Sequence, residues 1–529
     1  MANPAKALAE TLSASGTTVA FGLPGGGPNL DVVGALHAHN IDFVLAHTET
    51  AACIMAATWG YLSDRVTAAV VTRGPGAASA VNGAAQATLD RYPLLLVTDT
   101  VPTASRDRVP HQRIDQQALF APVTKASVVL GPDTGVDELR AIVDCATSWP
   151  PGAVHLDYDA TSHPTTNPLP PETKPHGKSA GGQAAAAAEL ISAARRPVVI
   201  VGAAAVGSAA EVRVALETYG APVLSTYQAV GIVETHSTIC AGLFTNGASE
   251  RPLLDQADLI IAVGLDLVEP IPAAWNYDAP VVSISPELIA DPYLPISAEV
   301  VASHERLAEP LRDLLTATHD WETNAGQVHN IWVRNRLTSE PLAGTFRPVD
   351  LVGAVAAGVP SMATVTVDAG AHFLAIMPLW PVKHARRLLI SNGLATMGFA
   401  VPAAIGAAIA RPDVPVVALT GDGGLGMCLA ELETIARRNL PVTVVVFNDA
   451  ALSLIEIKQT ANHGGPSAVR YATTDFASAA GAMGMAGVVA HSANDVADAL
   501  AAHDHASPLL IDARIDPASY PHLMRVTRG

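Results

Sequence analysis

Asp422 stands between Gly421 and the pair Gly423-Gly424, one residue beyond the apolar run PVVALT (415–420). A second acid, Asp449, comes 449 − 422 = 27 residues later, in the pair Asn448-Asp449 that ends the apolar run PVTVVVF (441–447). Both runs read as parallel strands, and open parallel sheets bind ligands at the carboxyl ends of their strands. An Asp-Gly pair alone is usually a simple turn. Two acids on neighbouring strand ends instead offer two oxygen ligands to one hard cation. Mg²⁺ takes few protein oxygens and completes its octahedron with phosphate and water. The glycines let backbone N–H groups approach a phosphate closely, and the helix that follows points its amino terminus at the anion. The chemistry implied is a divalent cation holding a phosphorylated ligand.

The elements that must position these acids recur along the chain. Short β-branched runs alternate with alanine-rich helical stretches, as in VTAAVVT (66–72), PLLLVTD (93–99), PVVIVG (197–202) and LIIAVG (259–264). Continuous apolar strands separated by helices predict an α/β protein with doubly wound parallel sheets covered on both faces. Thr161–Gly182 carries five prolines among small polar residues, a linker composition, and a softer boundary falls at Ser339–Pro348. The chain is therefore expected to divide into domains at 1–160, 185–320 and 345–529, with a linker over 161–184. The first and last look like copies of one unit. Thr72 closes a strand before the loop Arg73-Gly74-Pro75-Gly76, and Thr420 does so before Gly421-Asp422-Gly423-Gly424. The next strand is announced by Pro93 and Pro441, at 93 − 72 = 21 and 441 − 420 = 21 residues. Only the second loop carries an acid.

Composition bounds the rest. The 529 residues suggest three to four domains, and 49% hydrophobic against 15% charged residues is ample for several buried cores. A formal charge of 31 − 49 = −18 argues against a nucleic-acid binder, which needs a basic face. Cys53, Cys145, Cys240 and Cys428 stand far apart and read as reduced packing residues of a cytoplasmic protein. The amino terminus, MANPAKALAETLSASG, has no apolar core of a secretory signal. Leu388–Ala410 is uncharged and long enough to span a bilayer, but Asn392, Gly393, Gly398, Pro402 and Gly406 make it read as strand, loop and buried helix. No membrane association is expected.

The metal-loop residues resemble those of the thiamine diphosphate-dependent enzymes of the acetolactate synthase and benzoylformate decarboxylase type, whose signature is GDG followed after a fixed interval by Asn-Asn. Asp422 and Asp449 match the side-chain metal ligands, and the backbone carbonyl of Ala451 matches the third. The family usually has Asn where this chain has Asp449, which adds a negative charge beside a diphosphate. The resemblance extends over nearly the whole chain. Phe21–Gly27 is similar to the family's first glycine turn, His47–Ala52 to its catalytic-glutamate helix and Gly74–Ala77 to its GPGA loop. Asp368–His372 and Ser391–Gly398 are similar to two cofactor-lining loops. The resemblance implies pyrimidine-binding, central Rossmann-like and diphosphate-binding domains, in that order.

It also implies roles. Glu49 hydrogen-bonds N1′ of the aminopyrimidine and promotes the tautomer that removes the thiazolium C2 proton, which asks for an apolar pocket that raises its pKa. Thr48 departs from the family, which commonly has His directly before this Glu. Met397 matches the bulky residue that bends the cofactor, although core packing is the commoner use of Met. Ala395 contributes its carbonyl to the 4′-amino group. Gly370, Ala371 and His372 approach the diphosphate with Gly423, Gly424 and Leu452, unless His372 merely packs. Because the glutamate of one subunit meets the metal domain of another, a homodimer is the minimum and a homotetramer is common.

The substrate side is less defined. PVVIVGAAAVG (197–207) resembles the family's central domain but lacks G-x-G-x-x-G. Acetolactate synthases place FAD there with an arginine-bearing stretch; here it reads Gly264–Pro270 without arginine, so no tightly bound FAD is expected. Gly26 occupies a position where some decarboxylases carry a polar catalytic side chain. His111-Gln112 stands where synthases have an aromatic-Gln pair, making His111 either an acid/base or a structural histidine. Leu454 and Glu456 follow the metal ligand and can reach substrate, with a solvated helix face the alternative for Glu456. The reading is a soluble thiamine diphosphate- and Mg²⁺-dependent enzyme that decarboxylates a 2-oxo acid and joins the product to an acceptor. Simple decarboxylation or acyloin/2-hydroxyacyl lysis is the alternative, and an FAD-dependent oxidase a further one.

Overall fold

In a computed structural model of the chain, residues 3–161, 181–289, 294–338, 345–462 and 464–529 are described. Most of the predicted linker and part of the second boundary, at 339–344, lie outside the described residues. Three six-stranded sheets follow one another along the chain, each wholly parallel and flanked by helices. The first contains β1 (Val19–Leu23), β2 (Asp42–Leu45), β3 (Ala68–Val71), β4 (Leu94–Asp99), β5 (Ala126–Leu130) and β6 (Ala153–Tyr158). The middle sheet contains β7 (Pro197–Val201), β8 (Val223–Ser225), β9 (Cys240–Leu243), β10 (Leu259–Val263), β11 (Val281–Ser285) and β12 (Ile296–Val301). The third contains β13 (Thr364–Val367), β14 (Leu388–Ile390), β15 (Val416–Gly421), β16 (Val442–Asn448), β17 (Ala486–Ala490) and β18 (Leu509–Arg514).

The strand orders are β2-β1-β3-β4-β6-β5, β12-β11-β10-β7-β8-β9 and β14-β13-β15-β16-β18-β17. The first and third are the same order with the count restarted, as the repeated 21-residue unit predicts: β3, helix, β4 in one copy and β15, helix, β16 in the other. In both copies the chain leaves its first strand for an outer neighbour, then returns to the other side. Such a reversal opens a crevice at the carboxyl ends of the two strands. In the third sheet those strands are β13 and β15.

The central strands are buried on both faces, which is why β3, β4 and β16 read as unbroken apolar runs rather than alternating ones. The helix Glu49–Ser63 starts at Thr48, whose hydroxyl oxygen accepts the Ala51 N–H at 3.1 Å, and ends at Asp64 in the left-handed region. Its middle, from Ala51 to Gly60, is buried throughout because it lies between its own sheet and the helix Ala400–Ala410 of the third domain. Small side chains bring the two backbones together: a Cβ on Gly406 would stand 2.4 Å from the Met55 carbonyl oxygen. The first and third domains thus share one core. The uncharged segment from Leu388 forms β14, a loop and this helix, and among the described residues no helix is long and apolar enough to cross a membrane.

Candidate active site

The crevice of the third sheet collects the predicted phosphate-site residues. Asp368 directly follows β13, Asp422 directly follows β15 and Asp449 directly follows β16. Around these strand ends lies a cavity of about 240 Å³. Gly370, Ala371 and His372 line it from the loop after β13, Ala395 and Met397 from the loop after β14, and Asp422, Gly423 and Gly424 from the turn after β15. Asp449, Ala451, Leu452 and Leu454 enter from the loop after β16. Twelve residues drawn from four loops by sequence reasoning therefore meet in one place.

The two acids are coupled. Asp422 Oδ2 accepts the Ala450 N–H at 2.6 Å, tying the end of β15 to the residue beyond Asp449, and its Oδ1 accepts from Tyr471 Oη at 2.6 Å and from the Gly423 N–H at 2.7 Å. Burial raises the Asp422 carboxyl above its ordinary value, against these bonds. Burial, and beyond it the charge of Asp422, push Asp449 up to about 7, against a bond from the Ser453 hydroxyl. Two carboxylates at neighbouring strand ends, the charge of one raising the other, are a site a cation would relieve. Among the described residues no three His, Cys, Asp or Glu side chains gather as metal ligands. A cation here would rest on the two carboxylates, a backbone carbonyl and oxygens from its ligand.

The opposite wall is shaped for an anion. His372 is 4% exposed and stacks on Phe447 at 5.4 Å between ring centroids, and its Nε2 is buried without a hydrogen-bond partner. Burial lowers its pKa to about 4, so the ring is neutral. Around it, side chains are excluded. A Cβ on Gly370 would stand 2.5 Å from His372 Cε1, and one on Gly423 would stand 2.8 Å from Leu452 Cδ2. An orphaned imidazole nitrogen beside a backbone cradle fits a phosphate group.

Asp368 is visible in the sequence only as part of a loop, but its buried carboxylate ties the site together. It accepts the Gly398 N–H at 2.9 Å, the Phe399 N–H at 3.3 Å and the Thr420 hydroxyl at 2.9 Å, joining the ends of β13 and β15 to the loop after β14. A Cβ on Gly424 would meet its Oδ2 at 2.3 Å, so the glycine is required there. A signal for it exists: an acid directly after the apolar run TVTV, the same pattern that exposes Asp422. Tyr471 and Ser453 carry no such pattern. Glu456 is held in an ion pair with Arg470.

The first-domain candidates lie elsewhere. Among the described residues none of that domain lines the cavity. Glu49 is half-buried at the start of its helix, with Oε1 3.2 Å from where a Cβ on Gly76 would stand. Gly26 faces open space, with nothing within 4 Å of an added Cβ. His111 and Gln112 are exposed, and Gln112 packs on Gly74, whose added Cβ would lie 2.8 Å from the Gln112 carbonyl oxygen. Gly26 follows β1, Glu49 follows β2, Gly74 follows β3 and His111-Gln112 follow β4, so these residues lie in loops beyond the carboxyl ends of the first domain's strands.

Three family descriptions match along the chain: thiamine pyrophosphate enzyme, N-terminal TPP binding domain, over residues 2–119; central domain, over 184–302; and C-terminal TPP binding domain, over 368–513. The chain is 30% identical to the acetolactate synthase of Bacillus subtilis (strain 168), covering 97% of this chain and 93% of that protein. It is also 30% identical to the catabolic acetolactate synthase of Raoultella terrigena, covering 99% and 97%. The chain belongs to the thiamine diphosphate-dependent enzymes of the acetolactate synthase-like type. A third relative, the acetolactate synthase isozyme 3 large subunit of Escherichia coli (strain K12), is 28% identical over 100% of this chain and 97% of its own. As a thiamine diphosphate-dependent enzyme with carboligase or decarboxylase activity, the protein carries the twelve cavity residues named above inside its C-terminal match. Gly26, Glu49, His111 and Gln112 fall inside its N-terminal match.

Proposed function

We propose that this thiamine diphosphate enzyme uses Mg²⁺ to decarboxylate a 2-oxo acid and to add the product to a second carbonyl compound, as an acetolactate synthase does. The observation that carries the reading is the pair Asp422 and Asp449 facing buried His372, in a chain similar to acetolactate synthases over nearly its whole length. When bound, thiamine diphosphate supplies a cationic thiazolium ring that serves as nucleophile and as electron sink for loss of carbon dioxide.

In this reading Asp422, Asp449 and the Ala451 carbonyl hold the cation. Gly370, Ala371, His372, Gly423 and Gly424 receive the diphosphate, and Leu452 packs beside it. The Ala395 carbonyl takes the 4′-amino group and Met397 supports the bend of the cofactor. Glu49 holds the proton at N1′. Since one chain's cavity has no first-domain wall among the described residues, Glu49, Gly26, His111 and Gln112 come from a second copy, and the enzyme works as a homodimer or homotetramer. The open space at Gly26 leaves room for an acceptor, and Leu454 faces the same ligand from the third domain.

The middle domain supports a flavin-free enzyme. Its crevice between β7 and β10 is filled by Glu269, whose carboxyl accepts the Ala203 N–H at 2.9 Å and the Thr226 hydroxyl at 2.5 Å. A Cβ on Gly202 would stand 2.5 Å from Leu265 Cα, so the two backbones approach closely beside it. Together with the arginine-free stretch Gly264–Pro270, this packing supports a reading without FAD.

The test is one incubation of purified protein with Mg²⁺, thiamine diphosphate and a panel of 2-oxo acids, scored by mass spectrometry. An acyloin or acetohydroxy acid is expected and names both partners. Aldehyde alone makes the enzyme a simple decarboxylase; silence with bound cofactor redirects the search to 2-hydroxyacyl lysis.

A further inference from the structure

The loop Ser391–Gly398 carries Ala395 and Met397 into the cavity, and all three domains hold it. From the middle domain, the Glu269 backbone carbonyl accepts from Asn392 Nδ2 at 3.2 Å. From the third domain, Asp368 holds the Gly398 N–H. From the first domain come two contacts: Asp90 Oδ1 accepts the Gly393 N–H at 2.6 Å, and Asn82 Oδ1 accepts the Thr396 hydroxyl at 2.6 Å. The approach at Gly393 is close, since a Cβ there would lie 2.5 Å from the Leu89 carbonyl oxygen.

The loop does not sit in a relaxed shape. Ala395, at its tip, has φ +53°, a left-handed conformation that a residue with a Cβ adopts only where its surroundings impose it. Asp90 is well suited to impose it. It is 1% exposed, and its second oxygen is fixed by Gln86 Nε2 at 2.9 Å, so the carboxylate cannot swing away from Gly393. It lies at the far end of the helix Pro75–Leu89, outside the strand-end loops that include Glu49. The cavity lining does not include it.

We propose that Asp90, assisted by Asn82, is a positioning residue of the first domain that sets the Ser391–Gly398 loop, and with it Ala395 and Met397, for the aminopyrimidine end of the cofactor. The proposal rests on the roles given above to Ala395 and Met397. The first domain then acts twice, supplying Glu49 to one site and steadying the loop of the site on its own chain. The diphosphate end, built on Asp422, Asp449 and His372, takes none of these three residues from this loop.

That separation supplies the test. Binding of thiamine diphosphate and of inorganic diphosphate, each with Mg²⁺, is measured by calorimetry for wild type, Asp90→Ala, Asp90→Asn and Asn82→Ala, with C2–H exchange of the bound cofactor followed by NMR. Losing a buried, charge-assisted bond is expected to lower thiamine diphosphate affinity and exchange by about tenfold in Asp90→Ala. Inorganic diphosphate binding should stay within about twofold, and Asp90→Asn, whose amide oxygen still accepts from Gly393, should recover most of the loss. Asn82 is exposed, so Asn82→Ala folds even if Asp90→Ala does not, and a loss confined to the thiamine ligand is expected there too. Equal weakening of both ligands would make Asp90 a stability residue and overturn the proposal, as would unchanged exchange in Asp90→Ala or in Asn82→Ala. A wild type that binds inorganic diphosphate but no thiamine diphosphate would instead remove the reading beneath it.

Discussion

The hydroxyl of Tyr471 donates to Asp422 Oδ1 at 2.6 Å, the same carboxylate whose Oδ2 receives the Ala450 N–H. The bond works against the burial that raises this carboxyl and holds it aimed. Groups that orient a ligand carboxylate in this way typically change metal affinity about 10–100-fold when removed. Tyr471→Phe is expected to weaken Mg²⁺ binding by about tenfold, read by calorimetry with thiamine diphosphate present. Unchanged affinity would mean that Tyr471 only packs.

Glu49→Gln keeps the size and the hydrogen-bonding reach of the side chain but cannot hold a negative charge against N1′. C2–H exchange of the cofactor is expected to fall to the rate in free solution, with thiamine diphosphate affinity largely intact. Exchange at the wild-type rate would sink the assignment of Glu49.

Two glycines give opposite expectations. A methyl on Gly424 would press on the Asp368 carboxylate at 2.3 Å, whereas one on Gly26 meets nothing within 4 Å. Gly424→Ala should destabilise the protein by about 1–3 kcal/mol, as overpacking does. Gly26→Ala should leave the thermal midpoint unmoved and alter only the choice of acceptor. A fall in midpoint for Gly26→Ala would contradict the open space there.

Glu269 makes stability depend on pH. Burial pushes its carboxyl from the ordinary 4.5 up to about 8, so between those values the folded chain binds more protons than the unfolded one. The contribution is full below the unfolded value and is lost as pH rises through the folded one. Glu269→Gln removes the titration. Its thermal midpoint should rise relative to wild type on going from about pH 5 to about pH 9. A constant difference would mean that Glu269 is ionised in the fold throughout.

Much of this molecule is legible in its sequence because the informative units are local. Strand, glycine turn and helix follow one another directly at Asp422, so the type of residue at a strand end reveals the chemistry of that end. The same holds for His372 and for the duplicated unit around Thr72 and Thr420. What escapes is held across long separations. Asp90 reaches Gly393 over 303 positions and Tyr471 reaches Asp422 over 49, and no spacing rule predicts such a pair. Glu269 is missed for a related reason: an acid in Gly264–Pro270 looks solvated until the Ala203 N–H is seen beside it. His111 remains a residue of an exposed loop in the single chain, and only the proposed assembly would give it a surface to face.

The first and third domains repeat one strand order, yet the glycine turn that carries an acid occurs in one of them alone. The turn at Arg73-Gly74-Pro75 has no acid, and under the proposed roles the domain that has one contributes no glutamate to the aminopyrimidine. Under the proposed function, loading then follows by arithmetic: each polypeptide would saturate with one equivalent of cofactor and one of cation, although it contains two folds of the same kind.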